Sequence, residues 1–224
     1  MSLIVKICGL STEETLDAAL AAGAEMVGFN FFPKSPRYVT PARAAELAKR
    51  IAGRAEIVTL SVDMEERELN ELVRIVRPDW VQLHGTESTD AVEAIRAVTG
   101  RQVMKALPIS AANDIERAHR YAKVADRLLL DAKPPKDATR PGGNGMPFDW
   151  ALLDGFDPDV PYLLSGGLAP GNVADAVRIT GAPGVDVSSG VETAPGRKDP
   201  DLIRAFIANA RGAVAPSLRQ KVAS

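Results

Sequence analysis

Cys8, Asp131, Lys6, His84 and Arg37 are the side chains whose types and places in the chain could carry chemistry. Cys8 ends the apolar run in K-I-C-G, just ahead of S-T-E-E at 11–14. A thiol facing the start of a helix feels the positive end of its dipole, which favours the thiolate, and a thiolate can act as a general base. The plainer use of a lone Cys is as a small buried apolar group. Asp131 follows Leu128-Leu129-Leu130. Apolar surroundings favour the neutral form of a carboxyl, which suits a general acid. Alternatively, Asp131 caps a turn or pairs with Lys133.

Lys6 lies two residues before Cys8 and so shares its face of an extended strand. A buried lysine there needs a carboxylate partner, or serves as a Schiff-base amine. His84, at the end of V-Q-L-H-G, is a candidate substrate contact or proton shuttle, or a hydrogen-bonded structural residue. His119 sits among polar residues at helical spacing, and two His so placed with one Cys do not form a metal cluster. Arg37, in K-S-P-R-Y, either clamps a carboxylate bidentately or is a solvated loop residue. Two short loops have the composition of phosphate cradles: L-S-G-G-L at 164–168 and V-S-S-G at 187–190. Glycines let backbone amides approach an anion closely, and hydroxyls add donors.

These residues become meaningful through the elements that hold them. Apolar runs begin near Leu3, Met26, Glu56, Trp80, Gln102, Arg127, Tyr162 and Gly184, at steps of roughly 20–35 residues. Each step fits a strand, a helix and two loops, so the pattern predicts parallel strands with helical crossovers. Eight such units close a (β/α)8 barrel, whose chemistry sits at the C-terminal ends of its strands. Those ends are expected to present Cys8-Gly9, Asn30, Asp63, His84-Gly85, Lys105, Asp131, Ser165-Gly166-Gly167 and Ser188-Ser189-Gly190. The two glycine-serine loops then follow strands seven and eight, where barrels frequently hold phosphate. Ser11 with Glu14 reads as a capping box, Thr40-Pro41 as a second helix start, and Gly23 as a helix stop. Ala44, Leu47, Ala48 and Ile51 form one apolar stripe, and Leu69, Leu72, Val73 and Val76 another. The connections 30–39 and 132–147 are long and follow strand ends, as functional loops do.

Composition narrows the classes. The chain has 224 residues, a net charge of −2 and 46% apolar residues. That is an ordinary globular composition, and a pI of about 5.8 is not the high pI expected of a nucleic-acid binder. No apolar run reaches the ~18 residues of a membrane span, and the N-terminus lacks a signal-peptide pattern. The single Cys fits a reducing compartment, so a cytoplasmic location is expected. One barrel over 1–211 is expected, with 212–224 a loosely packed or frayed tail.

Read together, the motifs resemble those of the phosphoribosylanthranilate isomerase family from about Val5 to Glu192. The resemblance rests on K-I-C-G at 6–9, F-P-K-S-P-R-Y-V at 32–39, Q-L-H-G at 82–85 and Leu130-Asp131. It continues through G-G-N-G-x-x-F-D-W at 142–150, L-S-G-G-L at 164–168 and G-V-D-V-S-S-G-V-E at 184–192. It implies a single-domain barrel of tryptophan biosynthesis that isomerises N-(5'-phosphoribosyl)anthranilate by an Amadori rearrangement. By the same resemblance, Asp131 is the acid that opens the ribose ring and Cys8 the base that takes the C2′ proton. Arg37 holds the anthranilate carboxylate. Gly166, Gly167, Ser188 and Ser189 hold the phosphate, Gly143 and Gly145 line its approach, and Asp186 supports the ligand or the loop. Asn144 departs from the Thr common at that place in the family. No cofactor or metal is implied. The expected partner is a small phosphosugar-anthranilate substrate, with no nucleic acid or membrane, on a monomer or homodimer. Three rivals keep the fold. They are a metal-dependent sugar-phosphate epimerase, a Schiff-base aldolase using Lys6 or Lys105, and a non-catalytic phosphosugar-binding barrel.

Overall fold

The computed structural model describes residues 2–132 and 148–213. Eight parallel strands close into a barrel in sequence order. They are β1 (Ile4–Cys8), β2 (Met26–Asn30), β3 (Glu56–Ser61), β4 (Trp80–Leu83), β5 (Gln102–Ile109), β6 (Arg127–Ala132), β7 (Tyr162–Leu164) and β8 (Gly184–Val187). β1 closes on β8 in the register Ile4↔Gly184 and Lys6↔Asp186. Seven of the eight expected strand starts coincide with the observed ones; the first strand begins one residue later, at Ile4.

Alternation sorts each strand into two faces. Met26, Val58, Trp80, Met104, Ala106, Leu129 and Leu163 fill the barrel interior, with Ile4 against them. Val5, Ile7, Val27, Phe29, Val103 and Leu128 point outward into the layer covered by helices. The helices are α1 (Glu13–Ala22), α2 (Pro41–Ile51), α3 (Glu66–Val76), α4 (Thr89–Thr99), α5 (Ala112–Ala122), α6 (Val173–Thr180) and α7 (Pro200–Gly212). Ala44, Leu47 and Ile51 bury the α2 stripe, with Ala48 half-buried, and Leu69, Leu72, Val73 and Val76 bury that of α3. Thr40 caps α2 as expected, and Gly23 ends α1 in the left-handed conformation.

Three expectations change, and one element is new. Thr12, not Ser11, caps α1, its hydroxyl accepting from the Thr15 amide. Leu10 must first be seated in the core, where it is fully buried, and that delays the helix by one residue. Lys105 does not end a strand, because β5 runs on through Pro108 to Ile109. The crossover from β6 to β7 carries a 3₁₀ turn at Trp150–Leu153 among its described residues, not the expected helix. Finally, the chain after β8 forms a short antiparallel hairpin, β9 (Glu192–Ala194) with β10 (Arg197–Lys198), that composition did not foretell. The proposed tail is described only to Ala213; residues 214–224 lie outside the described residues. No helix among the described residues is long and apolar enough to cross a membrane.

Candidate active site

Inward parity at the C-terminal ends of the strands brings the site together. Lys6 and Cys8 lie on β1, Asp131 on β6 and Asp186 on β8, all with little solvent exposure. In barrel order, the loops after β7 and β8 stand between Asp131 and Cys8. One polar recess is lined by Asp131, Ser165, Gly166, Gly167, Leu168, Asp186, Val187, Ser188 and Ser189. The four residues expected to cradle phosphate therefore meet around a single cavity, with the expected acid on its wall. Gly143 and Gly145, and the departure at Asn144, lie outside the described residues.

Gly166 has a positive φ of 85°, and a Cβ there would stand 2.3 Å from the Ala132 backbone nitrogen. Only a residue without Cβ lets this loop close over the end of β6. Gly166→Ala is expected to cost about 1–3 kcal/mol of stability from strain and displaced backbone, and to raise KM for a phosphorylated substrate. A melting curve and a substrate titration read the two effects separately.

Asp131 accepts the Ala132 amide through Oδ1 at 2.9 Å. His84 Nε2 stands 3.3 Å from its Oδ2, and Gln82 Nε2 is 3.3 Å from His84 Nδ1. His84 thus stands beside the acid instead of forming a separate ligand group, and the alternative pairing of Asp131 with Lys133 falls on an undescribed residue.

Lys6 is fully buried and pairs with Asp186 at 2.7 Å; Asp186 also accepts from the Ser165 hydroxyl at 3.0 Å. Burial works against the Lys6 ammonium, but the Asp186 carboxylate and, after it, Cys8 together outweigh it, and the pKa lies above its ordinary value. The internal ion pair is therefore the observed role of Lys6, and a neutral Schiff-base amine is disfavoured. Lys105 points outward with Val103 and Leu107, and its ammonium is held by Glu87 at 2.8 Å and by the Gly85 carbonyl at 2.8 Å. That removes Lys105 from the site.

The Cys8 thiol is buried at 4% exposure. Burial pushes its pKa up; Lys6 and then Lys198 pull it back down, while Asp186 pushes it further up. The net rise corrects the expectation that a helix dipole would lower it: the thiol is set by its buried neighbours. Gly28 on β2 makes room for this group, since a Cβ there would stand 3.0 Å from Cys8 Sγ.

Arg37 is neither solvated nor free. The loop after β2 folds back, with the Phe32 amide on Asn30 Oδ1 and the Val39 amide on the Asn30 carbonyl. This turns Arg37 inward, where Nε and Nη2 each reach Glu192 at 2.7 Å. Among the described residues nothing accepts from Nη1, which remains as a donor edge. Glu192 also accepts from Lys198 at 2.7 Å and from the Gly196 amide at 3.1 Å. Neither Glu192 nor Lys198 was among the candidate residues, and both act through the β9–β10 hairpin. Burial alone would raise the Glu192 pKa, but the bonds from Arg37 and the charge of Lys198 outweigh it and hold the carboxyl below its ordinary value of 4.5.

A carboxyl depressed by folding contributes stability above its unfolded pKa and loses it as pH falls through the folded one. The gap in melting temperature between the protein and its Glu192→Gln variant is therefore expected to be full above about pH 4.5 and to shrink as pH falls below it. A gap constant from pH 6 to pH 3 would contradict this.

The family described as N-(5'phosphoribosyl)anthranilate (PRA) isomerase matches residues 5–209. The N-(5'-phosphoribosyl)anthranilate isomerase of Rhodopseudomonas palustris is 56% identical over 211 residues, covering 94% of this chain and 97% of the relative. That of Afipia carboxidovorans is 58% identical over 213 residues, covering 95% and 91%. The phosphoribosyl anthranilate isomerase structure from Thermotoga maritima superposes with a TM-score of 0.83 at 37% identity, covering 94% of this chain and 99% of that one. A phosphoribosyl anthranilate isomerase structure in complex with reduced 1-(o-carboxyphenylamino)-1-deoxyribulose 5-phosphate matches with a TM-score of 0.80 at 36% identity over the same shares. With the closed eight-stranded barrel and the residues gathered at its mouth, these matches place the chain in the N-(5'-phosphoribosyl)anthranilate isomerase family.

Proposed function

We propose that this chain isomerises N-(5'-phosphoribosyl)anthranilate to 1-(2-carboxyphenylamino)-1-deoxyribulose 5-phosphate in tryptophan biosynthesis, with Asp131 as acid and Cys8 as base. The observation that carries the division of labour is the order around the barrel mouth. An acid on β6 and a thiol on β1 flank the recess lined by the loops after β7 and β8. A phosphate held in those loops sets a sugar between the two groups.

Asp131 gives its proton to the ribose ring oxygen as the C1′–O bond breaks, and the anthranilate nitrogen lone pair forms the protonated Schiff base. The Cys8 thiolate takes the C2′ proton, and the C–H electrons form the C1′=C2′ bond of an enolamine while the iminium nitrogen recovers its lone pair. Loss of the 2′-hydroxyl proton and gain of one at C1′ then give the ketone. Acid and base are regenerated when the Asp131 carboxylate regains a proton and the Cys8 thiol loses one. Arg37, fixed by Glu192 along one edge, offers Nη1 to the anthranilate carboxylate. Gly166, Gly167, Ser188 and Ser189 hold the phosphate, His84 stands beside Asp131, and Asp186 supports the loops through Ser165 and Lys6. Every step is a proton transfer, so the chain's own side chains suffice.

A bacterial strain that lacks this isomerase and requires tryptophan tests the reading in a cell. Expression of the chain is expected to restore growth without tryptophan. Failure to grow with soluble protein present would overturn the assignment.

A further inference from the structure

The buried ion pairs of β1, β8 and the β9–β10 hairpin hold more cations than carboxylates. Lys6 and Asp186 form one pair, whereas Arg37 and Lys198 share the single carboxylate of Glu192. Three cations thus face two anions, and all five side chains are nearly excluded from solvent. Lys198 completes its shell with the Ser188 carbonyl at 2.8 Å and the Ser188 hydroxyl at 3.2 Å. That hydroxyl in turn donates to the Cys8 carbonyl at 3.2 Å, so one side chain links the ammonium to the backbone of Cys8. A surplus buried charge is costly unless an opposite charge lies within reach.

We infer that Lys198 is a positioning residue for Cys8: its ammonium, with that of Lys6, supplies the counter-charge against which the buried thiol can ionise. The inference rests on the proposed role of Cys8 as base. The charged groups that bear on the thiol are Lys6 from its own strand, Asp186 from β8 and Lys198 from β10, while the neighbouring β2 presents the uncharged Gly28. The titration of the two groups is mutual. Burial lowers the Lys198 pKa, and a Cys8 thiolate acts to raise it. Lys198 also links the two ends of the site mechanically, since it grips Ser188 of the recess and Glu192 beneath Arg37. The charge role and the strut role can be separated by side-chain choice.

Cys8 is the only cysteine in the chain, so alkylation by iodoacetamide reports it alone. The rate of alkylation against pH gives the midpoint of thiolate formation for the full chain and for Lys198→Met, Lys198→Gln and Lys198→Arg. Loss of the charge in the Met and Gln variants is expected to move the midpoint up by about one to three pH units. At neutral pH that is a fall of roughly tenfold or more in reactive thiolate. Gln keeps a donor for Ser188, so a Gln variant that behaves like Met assigns the effect to charge. Lys198→Arg keeps the charge and is expected to hold the midpoint close to that of the unaltered chain. The acid limb of kcat/KM should move with the alkylation midpoint in each variant. An unchanged midpoint in the Gln variant would overturn the inference, even where turnover falls, because that pattern belongs to a strut. If Lys198→Met does not fold, the Gln and Arg variants decide alone. Alkylation needs no substrate. A chain that failed to isomerise would overturn the proposed reaction and leave the midpoint comparison standing on its own.

Discussion

Cys8→Ser is expected to lower kcat/KM by about 10²–10⁴-fold, the usual loss when a positioned general base is removed. Serine preserves the size of the side chain in a site where the thiol is nearly excluded from solvent, so packing changes little. What changes is acidity. A hydroxyl does not ionise near neutral pH, and neither Lys6 nor Lys198 can make it do so. The grip on substrate comes from other residues, Arg37 and the loops after β7 and β8, so KM should move far less than kcat. Steady-state rates across substrate concentrations check both parts. Rates within a few-fold of the unaltered protein would move the base to another residue, with His84 the next to test.

Asp131→Asn is expected to cost a similar 10²–10⁴-fold, for a different reason. The amide keeps the shape of the carboxyl and can still accept the Ala132 amide now held at 2.9 Å. It has no proton to give to the ring oxygen, so ring opening slows while binding persists. An Asn variant that retains the rate would remove Asp131 from the mechanism. Because Cys8 and Asp131 act on successive steps, the double variant should be little worse than the slower single one.

Much of this site is legible in the sequence. Cys8 and Asp131 end apolar runs, and a strand that stops at a polar residue announces the mouth of a barrel. The glycine-serine loops were legible because both carry their geometry in composition. The role of Lys6 was half legible: parity put it beneath Cys8, and only the β1–β8 register supplied Asp186 as its partner. The environment of Cys8 was not legible. Sequence proximity suggested the α1 dipole, whereas burial and the charges of Lys6 on β1, Asp186 on β8 and Lys198 on β10 set the thiol.

Glu192 and Lys198 show the limit most clearly. Each lies far along the chain from what it serves, Glu192 meeting Arg37 across a separation of 155 residues. Pro195-Gly196 in E-T-A-P-G-R-K marks a turn, but nothing local says that it closes over a distant loop. The signal that could have found them is electrostatic: a buried Arg37 demands a carboxylate, and the chain after β8 is where the barrel brings one. Lys105 failed in the opposite way. The sequence placed it at a strand end, yet β5 continues in register with Pro108 opposite Asp131. The one-residue error at Ser11 has the same character, because the seating of Leu10 in the core overrode a local capping pattern.

The most direct test of the central claim is turnover itself. Freshly made N-(5'-phosphoribosyl)anthranilate is fluorescent, and isomerisation extinguishes that fluorescence. With the unaltered chain in excess EDTA, the signal is predicted to disappear far faster than the spontaneous decay of the substrate, with the ketose phosphate as product. Decay no faster than the protein-free control would contradict the isomerase assignment, and activity abolished by EDTA would contradict an acid–base reaction carried by Asp131 and Cys8 alone.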